Sequence, residues 1–403
     1  MNILFITDDN LINSVVYDIH ILAESLSLLG HRVYVIGSQF GNGTHLRAEE
    51  MKMARVYTKA QVHLLNIGYI NIPIINFLFG VFSSYQKIHK VIMEKNIDVI
   101  VLYSVISTGL PAVGLSRKFN IPLVFRNIDM LHRLMPTRLK QMVTKCLEKM
   151  VYRKADKLFT ISSKYAEYLI NLGTAKSKIN LMPFPVDIEF FHCNTDSSEI
   201  RQRWKFSIKD EIIVFMGRLY KFSGLSDFIY VFPEVIKQIP QAKLLIVGDG
   251  PLRPKLERII SEYGLKEHII ITGLQPFQAV PQYINLADIC INPYPVSGHM
   301  KDLFCAKVIQ YLACGKPVVS SSLPGMTTIL PGESCGIVYT DNAIDMVKKL
   351  VLLLKSPEKR ERLGQSGFNY VREVHSRDKL LPQFEKYLVE AVQENKIAIS
   401  NKE

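Results

Sequence analysis

The stretch Glu211-Ile212-Ile213-Val214-Phe215-Met216-Gly217-Arg218-Leu219 decides how the chain is divided. It is a short, continuously apolar run ending at a glycine, the signature of a buried parallel strand entering a loop. The same pattern opens the chain at Asn2–Thr7, so strand-and-helix alternation starts twice. Downstream of residue 211, short apolar runs recur at Lys243–Val247, His268–Ile271, Ile289–Asn292 and Pro317–Ser320. Helical patterns at about 225–238, 252–263, 278–286 and 303–314 separate them. Upstream, strands at Asn2–Thr7, His31–Ile36, Asp98–Tyr103, Pro122–Phe125, Lys157–Ile161 and Ile179–Met182 alternate with helices at Val15–Leu29, Thr108–Phe119, Leu139–Arg153 and Ser162–Leu172. Both halves therefore read as α/β, doubly wound around parallel sheets. The polar turn cluster Asn194–Ser198 puts the join in Phe190–Arg203, and the chain is helical beyond residue 342. The expected division is 1–192 and 193–375 as two Rossmann-like domains, with 376–403 a C-terminal helix packing back towards the first. Two such domains facing across a cleft would bind a ligand at the carboxyl ends of their strands.

Composition narrows the class. At 403 residues, 48% hydrophobic and 21% charged, the chain can bury two sizeable cores and is not a disordered tail. Its six cysteines form no CxxC pair, which points to a reducing compartment and away from zinc ribbons and disulfide scaffolds. No basic segment followed by an apolar core opens the sequence, so no signal peptide is expected. Residues 60–86 lack Asp, Glu, Lys and Arg, but asparagines and Pro73 interrupt the run, and it reads as non-spanning. The net charge of +12 is concentrated in residues 1–190, with 22 basic against 14 acidic side chains. That asymmetry suggests an anionic partner. No nucleic-acid module is visible, so nucleic acid is not expected.

The chemistry-bearing residues lie mainly in the second half. Arg218 follows Gly217 at a strand's carboxyl end, where its fork suits a diphosphate. Gly248-Asp249-Gly250-Pro251 is a tight strand-to-helix turn, as readily a requirement of the fold as a ligand contact. In Asp302–Val319, Lys307 and Gln310 share a helix face. Asp302 and Gln310, eight apart, would lie about 12 Å apart along a helix axis, a span suited to a nucleotide-sugar. A helix N-terminus between them would favour an anion, although on spacing alone a solvent-facing polar stripe is the better account.

These segments, taken in order, resemble family 4 of the retaining, nucleotide-sugar-dependent glycosyltransferases, which have the GT-B fold. The resemblance runs from the first strand to about residue 375. It is carried by Arg153–Lys157, Thr160-Ile161-Ser162, Pro185-Val186-Asp187, Gly217-Arg218-Leu219, Gly248–Pro251, Gly273, Ala287-Asp288 and Ala313–Val319. It implies that Arg218, Gly217, Ser223 and Lys307 meet the donor diphosphate, that Asp302 is catalytic and meets the donor sugar, and that Gln310 meets the ribose. It departs from the family pattern at Gln310, which replaces a carboxylate, and at Ser223, which replaces a lysine; Lys307 or Lys221 would supply the missing cation. In the first half the Gly-rich loop is replaced by Asn10–Ser14, which includes Asn13. A family histidine is replaced near Phe125–His132, leaving Asp129 as a catalytic candidate and His132 and Asn13 on the acceptor side.

The implied activity is retaining transfer of a hexosyl group to a glycan or lipid-linked acceptor in polysaccharide or glycolipid biosynthesis. The nucleotide-sugar is a co-substrate, and neither cofactor nor metal is expected. Two other readings remain: a catalytically silent GT-B relative acting as a binding subunit, and a nucleotide-sugar epimerase. A dehydrogenase is disfavoured because no GxGxxG follows the first strand. The expected location is cytoplasmic, peripheral on the inner face of the membrane. Residues 133–157 carry eight basic and two acidic side chains, a net +6, and are the candidate membrane contact. The apolar stripe Leu139, Met142, Val143, Cys146, Leu147 and Met150 within them is expected to pack on the sheet.

Overall fold

The computed structural model describes residues 1–11, 16–38, 50–67, 73–297 and 301–400. Its contacts divide the chain into one unit of Met1–Pro185 with Asp378–Glu403, and another of Val186–Arg377. The first unit is built on β1 (Asn2–Ile6), β2 (Arg32–Ser38), β3 (Glu50–Met53), β4 (Val62–Ile67), β5 (Val99–Leu102), β6 (Leu123–Asn127), β7 (Lys157–Thr160) and β8 (Ile179–Leu181). They form one sheet in the order β3-β4-β2-β1-β5-β6-β7-β8, parallel except for β3. Side chains alternate across this sheet as a pleat requires. Leu4 and Ile6 enter the core on one face, while Ile3 and Phe5 enter the core on the other. That second face is covered by the helix Asp18–Leu28, through Ile19, Leu22 and Leu26, and by the C-terminal helix Arg377–Ser400. Leu380, Phe384 and Leu388 are the covering residues, and Phe384 meets Phe159 edge-on at 5.2 Å between ring centres.

A buried ion pair ties this unit together. The Arg126 guanidinium on β6 donates to Asp18 at 2.6 Å and to the Met182 carbonyl at 2.7 Å, and Tyr103 donates to Asp18 at 2.8 Å. Neither charged side chain is exposed to solvent.

The second unit contains β9 (Glu211–Met216), β10 (Ala242–Val247), β11 (Ile269–Gly273), β12 (Ile289–Asn292), β13 (Val318–Ser321) and β14 (Ile337–Thr340). Their order is β11-β10-β9-β12-β13-β14, and every pairing is parallel. From β9 the chain steps outward to β10 and β11, then returns to the other side of β9 with β12. The carboxyl ends of β9 and β12 are thus the switch point where open α/β sheets bind ligands. In the first sheet the corresponding neighbours are β1 and β5.

Three sequence expectations change. The helix expected over 225–238 is two helices, Leu225–Val231 and Pro233–Gln238, because Pro233 removes an amide donor from the ladder. The helix expected over 303–314 is only Lys307–Ala313. Asp302 and Gln310 therefore do not share one helix, and the 12 Å axial spacing does not apply. The third correction concerns the helix Arg138–Lys154. Its buried residues are Thr144, Glu148, Val151 and Tyr152, with Leu147 packed partly against the core. At 3.6 residues per turn, Leu139, Met142, Val143, Cys146 and Met150 lie on the opposite side. All five are exposed, Leu139 at 72% and Met142 at 67%. The stripe expected to pack on the sheet faces solvent. Among the described residues no helix is long and apolar enough to cross a membrane.

Candidate active site

In the second unit the switch point is shaped by two laced loops. The Gly217 amide donates to the Val247 carbonyl at 3.0 Å, and the Leu219 amide to the Asp249 carbonyl at 3.0 Å. The loops after β9 and β10 approach so closely that a Cβ on Gly248, at φ +147°, would overlap the Gly217 carbonyl oxygen. The glycines of Gly248-Asp249-Gly250 are thus explained by backbone contact. Asp249 is also occupied, accepting from the Gly250 amide at 2.7 Å and from Arg253 at 3.0 Å.

Lys307 opens the short helix Lys307–Ala313 and reaches this point. Its Nζ lies 3.8 Å from the centre of the Phe215 ring and 4.2 Å from that of Tyr294, two cation–π contacts. Among the described residues that nitrogen has no hydrogen-bond partner, although it is buried. Burial lowers its pKa from the ordinary lysine value to about 7, against weak opposition from the Cys305 and Cys290 thiols. One turn on, the Tyr311 hydroxyl accepts from the Met216 amide at 2.8 Å and fixes the helix to the end of β9. A Cβ placed on Gly217 would come 3.7 Å from Lys307 Nζ, so the unsubstituted backbone and the ammonium are neighbours. Arg218 follows, half-buried, its guanidinium 5.7 Å from the centre of the Tyr220 ring.

The structure therefore brings Gly217 and Lys307 together, with Arg218 next in the chain. Gln310 is half-buried on the same short helix. Asp302 lies before that helix and is 8% exposed; a Cβ on Gly325 would overlap its carbonyl. Ser223 is corrected. It is fully buried, its hydroxyl accepting from the Leu225 amide at 3.5 Å, so it belongs to the turn and is closed to a diphosphate. The aromatic pair around Lys307 was not foreseen. Its only sequence signal is an aromatic at each strand's carboxyl end, Phe215 and Tyr294.

In the first unit the carboxyl ends of β1, β5 and β6 carry an acidic group. Asp8 accepts from the Ser107 hydroxyl at 2.5 Å, and its amide donates to Ser104 at 2.5 Å. Burial nevertheless raises the pKa of Asp8 and of Asp9. Asp129 is pushed up to about 7, first by burial and then by the nearby Asp9. A carboxyl poised near neutrality suits proton transfer. His132 belongs elsewhere: it meets Glu148 at 2.9 Å and Tyr168 at 3.0 Å and stacks on the Tyr168 ring. Asn13 lies outside the described residues.

Comparison with known proteins bears on this arrangement. Residues 15–190 match the family described as Glycosyltransferase Family 4, and residues 196–370 match Glycosyl transferases group 1. This chain is a family 4 glycosyltransferase by descent. An uncharacterised glycosyltransferase of Methanocaldococcus jannaschii is 24% identical over 62% of this chain and 62% of its own length. A GDP-mannose-dependent alpha-(1-6)-phosphatidylinositol monomannoside mannosyltransferase of Mycolicibacterium smegmatis is 30% identical over 46% of this chain and 50% of its own. The chain thus spans between half and two thirds of these curated relatives. Solved structures extend the likeness to the whole fold. Sucrose-phosphate synthase of Thermosynechococcus elongatus superposes with a TM-score of 0.77 at 18% identity, covering 97% of this chain and 98% of that one. Anabaena HepE in complex with UDP does so with a TM-score of 0.70 at 16% identity, covering 97% and 100%. Both units thus have the parallel-sheet architecture of GT-B proteins, and Gly217, Arg218 and Lys307 stand at the switch point of the second.

Proposed function

We propose that the chain transfers a sugar, with retention, from a nucleotide-diphospho-sugar to a glycan or lipid-linked acceptor. The observation that carries this reading is the buried Lys307 side-chain nitrogen, which among the described residues has no hydrogen-bond partner, beside Gly217 and Arg218. A buried cation without a counter-charge is a site for an anion. A donor diphosphate would take hydrogen bonds from Lys307 and Arg218 and approach the bare Gly217 backbone. Its growing charge on departure would be met by the same two cations, without a metal. Asp302 is assigned to the donor sugar and Gln310 to the ribose, where an amide still hydrogen-bonds both hydroxyls. Asp129 is assigned to the acceptor side. The UDP bound by HepE and the GDP-mannose named for the mycobacterial relative both support a nucleotide-linked donor. A lipid-linked acceptor agrees with the phosphatidylinositol mannoside in that relative's name and with a membrane contact through residues 133–157.

The test is thermal stabilisation by UDP-, GDP-, ADP- and dTDP-linked sugars, wild type beside Arg218→Ala. Ligands that bind the folded state stabilise it by mass action. A shift with one donor, lost in the variant, supports the donor site and names the nucleotide. No shift with any donor, in folded protein supplied with acceptor, refutes it. Gln310 in place of a carboxylate motivates a second reading, a silent relative that binds donor without turnover. Donor consumption in the presence of acceptor separates the two.

A further inference from the structure

The two cations assigned to the donor come from different elements, Arg218 from the loop after β9 and Lys307 from the helix Lys307–Ala313. Among the described residues neither forms an ion pair. What joins them is a continuous row of rings. The Arg218 guanidinium lies 5.7 Å from the centre of the Tyr220 ring, and Tyr220 lies 5.1 Å from Phe222. Phe222 meets Tyr294 edge-on at 6.3 Å, and Tyr294 carries the Lys307 Nζ at 4.2 Å. Phe215 closes the other side of that nitrogen at 3.8 Å. Every link is within the reach of an aromatic or cation–π contact. The backbone fastens the row. The Ser223 amide donates to the Tyr220 carbonyl at 2.9 Å, and a Cβ on Gly224 would overlap the Pro293 carbonyl oxygen. The loop bearing Tyr220 and Phe222 is thus clasped to the segment bearing Tyr294. Burial does not account for these rings, since Tyr220 and Phe222 are 36% and 37% exposed.

Holding a cation with rings has a chemical consequence. A carboxylate would fix its position but neutralise its charge and compete with an incoming phosphate. An aromatic quadrupole attracts the cation and leaves its full charge to a ligand. Ser223, buried in its turn, brings no charge, so the second cation comes from the helix and has to be set against the loop. We infer that Phe222 and Tyr294 are positioning residues, which hold Arg218 and Lys307 as one preset pair for a diphosphate. Neither ring is asked to touch the donor; each acts through a cation. Their role rests on the donor site proposed above, yet the holding itself is measurable without a nucleotide.

Nuclear magnetic resonance of the full chain, with isotopically labelled lysine side chains, reads the holding directly. A methylene beside ring faces is shifted upfield by their ring currents, and Lys307→Met assigns the Lys307 signal by its absence. Phe222→Leu keeps apolar bulk at a partly exposed position and should move that signal towards the ordinary lysine position. Phe222→Tyr should leave it in place. Tyr230→Leu removes a comparable exposed ring, one that meets Tyr263 edge-on at 5.5 Å, and should not move it. An unmoved signal in Phe222→Leu would overturn the coupling. Calorimetry with UDP, GDP, ADP and dTDP beside their monophosphates reads the consequence. Phe222→Leu should bind the preferred diphosphate about fivefold more weakly and Tyr294→Leu about tenfold, with the monophosphate changed by under about twofold. Tyr294→Phe keeps the ring and should stay within about twofold of wild type. Equal losses for diphosphate and monophosphate would make the rings merely structural and overturn the assignment. A wild type that binds no nucleotide, with the lysine signal still displaced in Phe222→Leu, would refute the donor reading while upholding the pairing.

Discussion

Replacing Lys307 with methionine should make the protein more stable and the donor site weaker. Methionine keeps the unbranched shape and places a polarisable sulfur between the Phe215 and Tyr294 rings. In the free protein the ammonium has lost its hydration and, among the described residues, gained no hydrogen bond, and its pKa falls from 10.5 to about 7. A drop of that size corresponds to about 5 kcal/mol of penalty for holding the charge. The two cation–π contacts offset part of it at roughly 1–2 kcal/mol in total, leaving about 3–4 kcal/mol for the substitution to recover. The sign follows from linkage. Between about pH 7 and 10.5 the unfolded chain binds more protons at this lysine than the folded chain, so wild-type stability rises with pH across that window. The penalty is complete below about pH 7 and gone above about 10.5. The variant's advantage should therefore be several degrees of melting temperature near pH 6 and shrink towards zero near pH 10. Donor affinity should move the other way, falling about 100-fold with the loss of a charge-assisted contact. Thermal melts at both pH values, with and without the donor identified by the screen, measure all three effects. A variant less stable at low pH, or an advantage that does not change with pH, would refute the reasoning. So would unchanged donor affinity.

Asp129→Asn tests the first unit in the opposite sense. The folded-state pKa is raised from 3.8 to about 7, so wild-type stability falls as pH rises across that interval. The asparagine variant should escape this decline, with a gap of up to about 4 kcal/mol at neutral pH in denaturant titrations, and it should lose transfer activity if the carboxyl handles a proton. Arg126→Met should destabilise by about 3–5 kcal/mol, because Asp18 is left charged and buried; a loss under 1 kcal/mol by the same titration would contradict the pairing. Gly224→Ala should unfold the second unit or prevent its expression, since at φ +72° the new Cβ would overlap the Pro293 carbonyl; a soluble variant with wild-type melting would contradict the turn geometry.

The parallel sheets were legible because their central strands are short apolar runs bounded by turns. Outer strands were harder. Glu50–Met53 is mostly exposed and polar, and Ile337–Thr340 is too short to stand out beside a turn. Arg218 and Gly217 could be named from their place at a strand's end. The aromatic enclosure of Lys307 could not, because Phe215 and Tyr294 are brought together only by the pairing of β9 with β12. The exposed stripe of the Arg138–Lys154 helix was misread for a related reason. Periodicity shows that a helix has an apolar side, but Val151 and Tyr152 define a second one, and only packing decides which is covered.

The first unit is discontinuous, with Val186–Arg377 inserted between its sheet and the helix that covers one sheet face. During synthesis this has an ordering effect. The sheet of residues 1–185 leaves the ribosome first, yet Phe5, Val35 and Val101 await Leu380, Phe384 and Leu388, which are made last. The inserted unit has all its residues available sooner and can complete its core while the older half is still open. The nascent chain thus carries a sheet face covered only in part, by the helix Asp18–Leu28, while Val186–Arg377 is made, and a ribosome that stops near residue 375 releases a protein with one finished unit and one that cannot close.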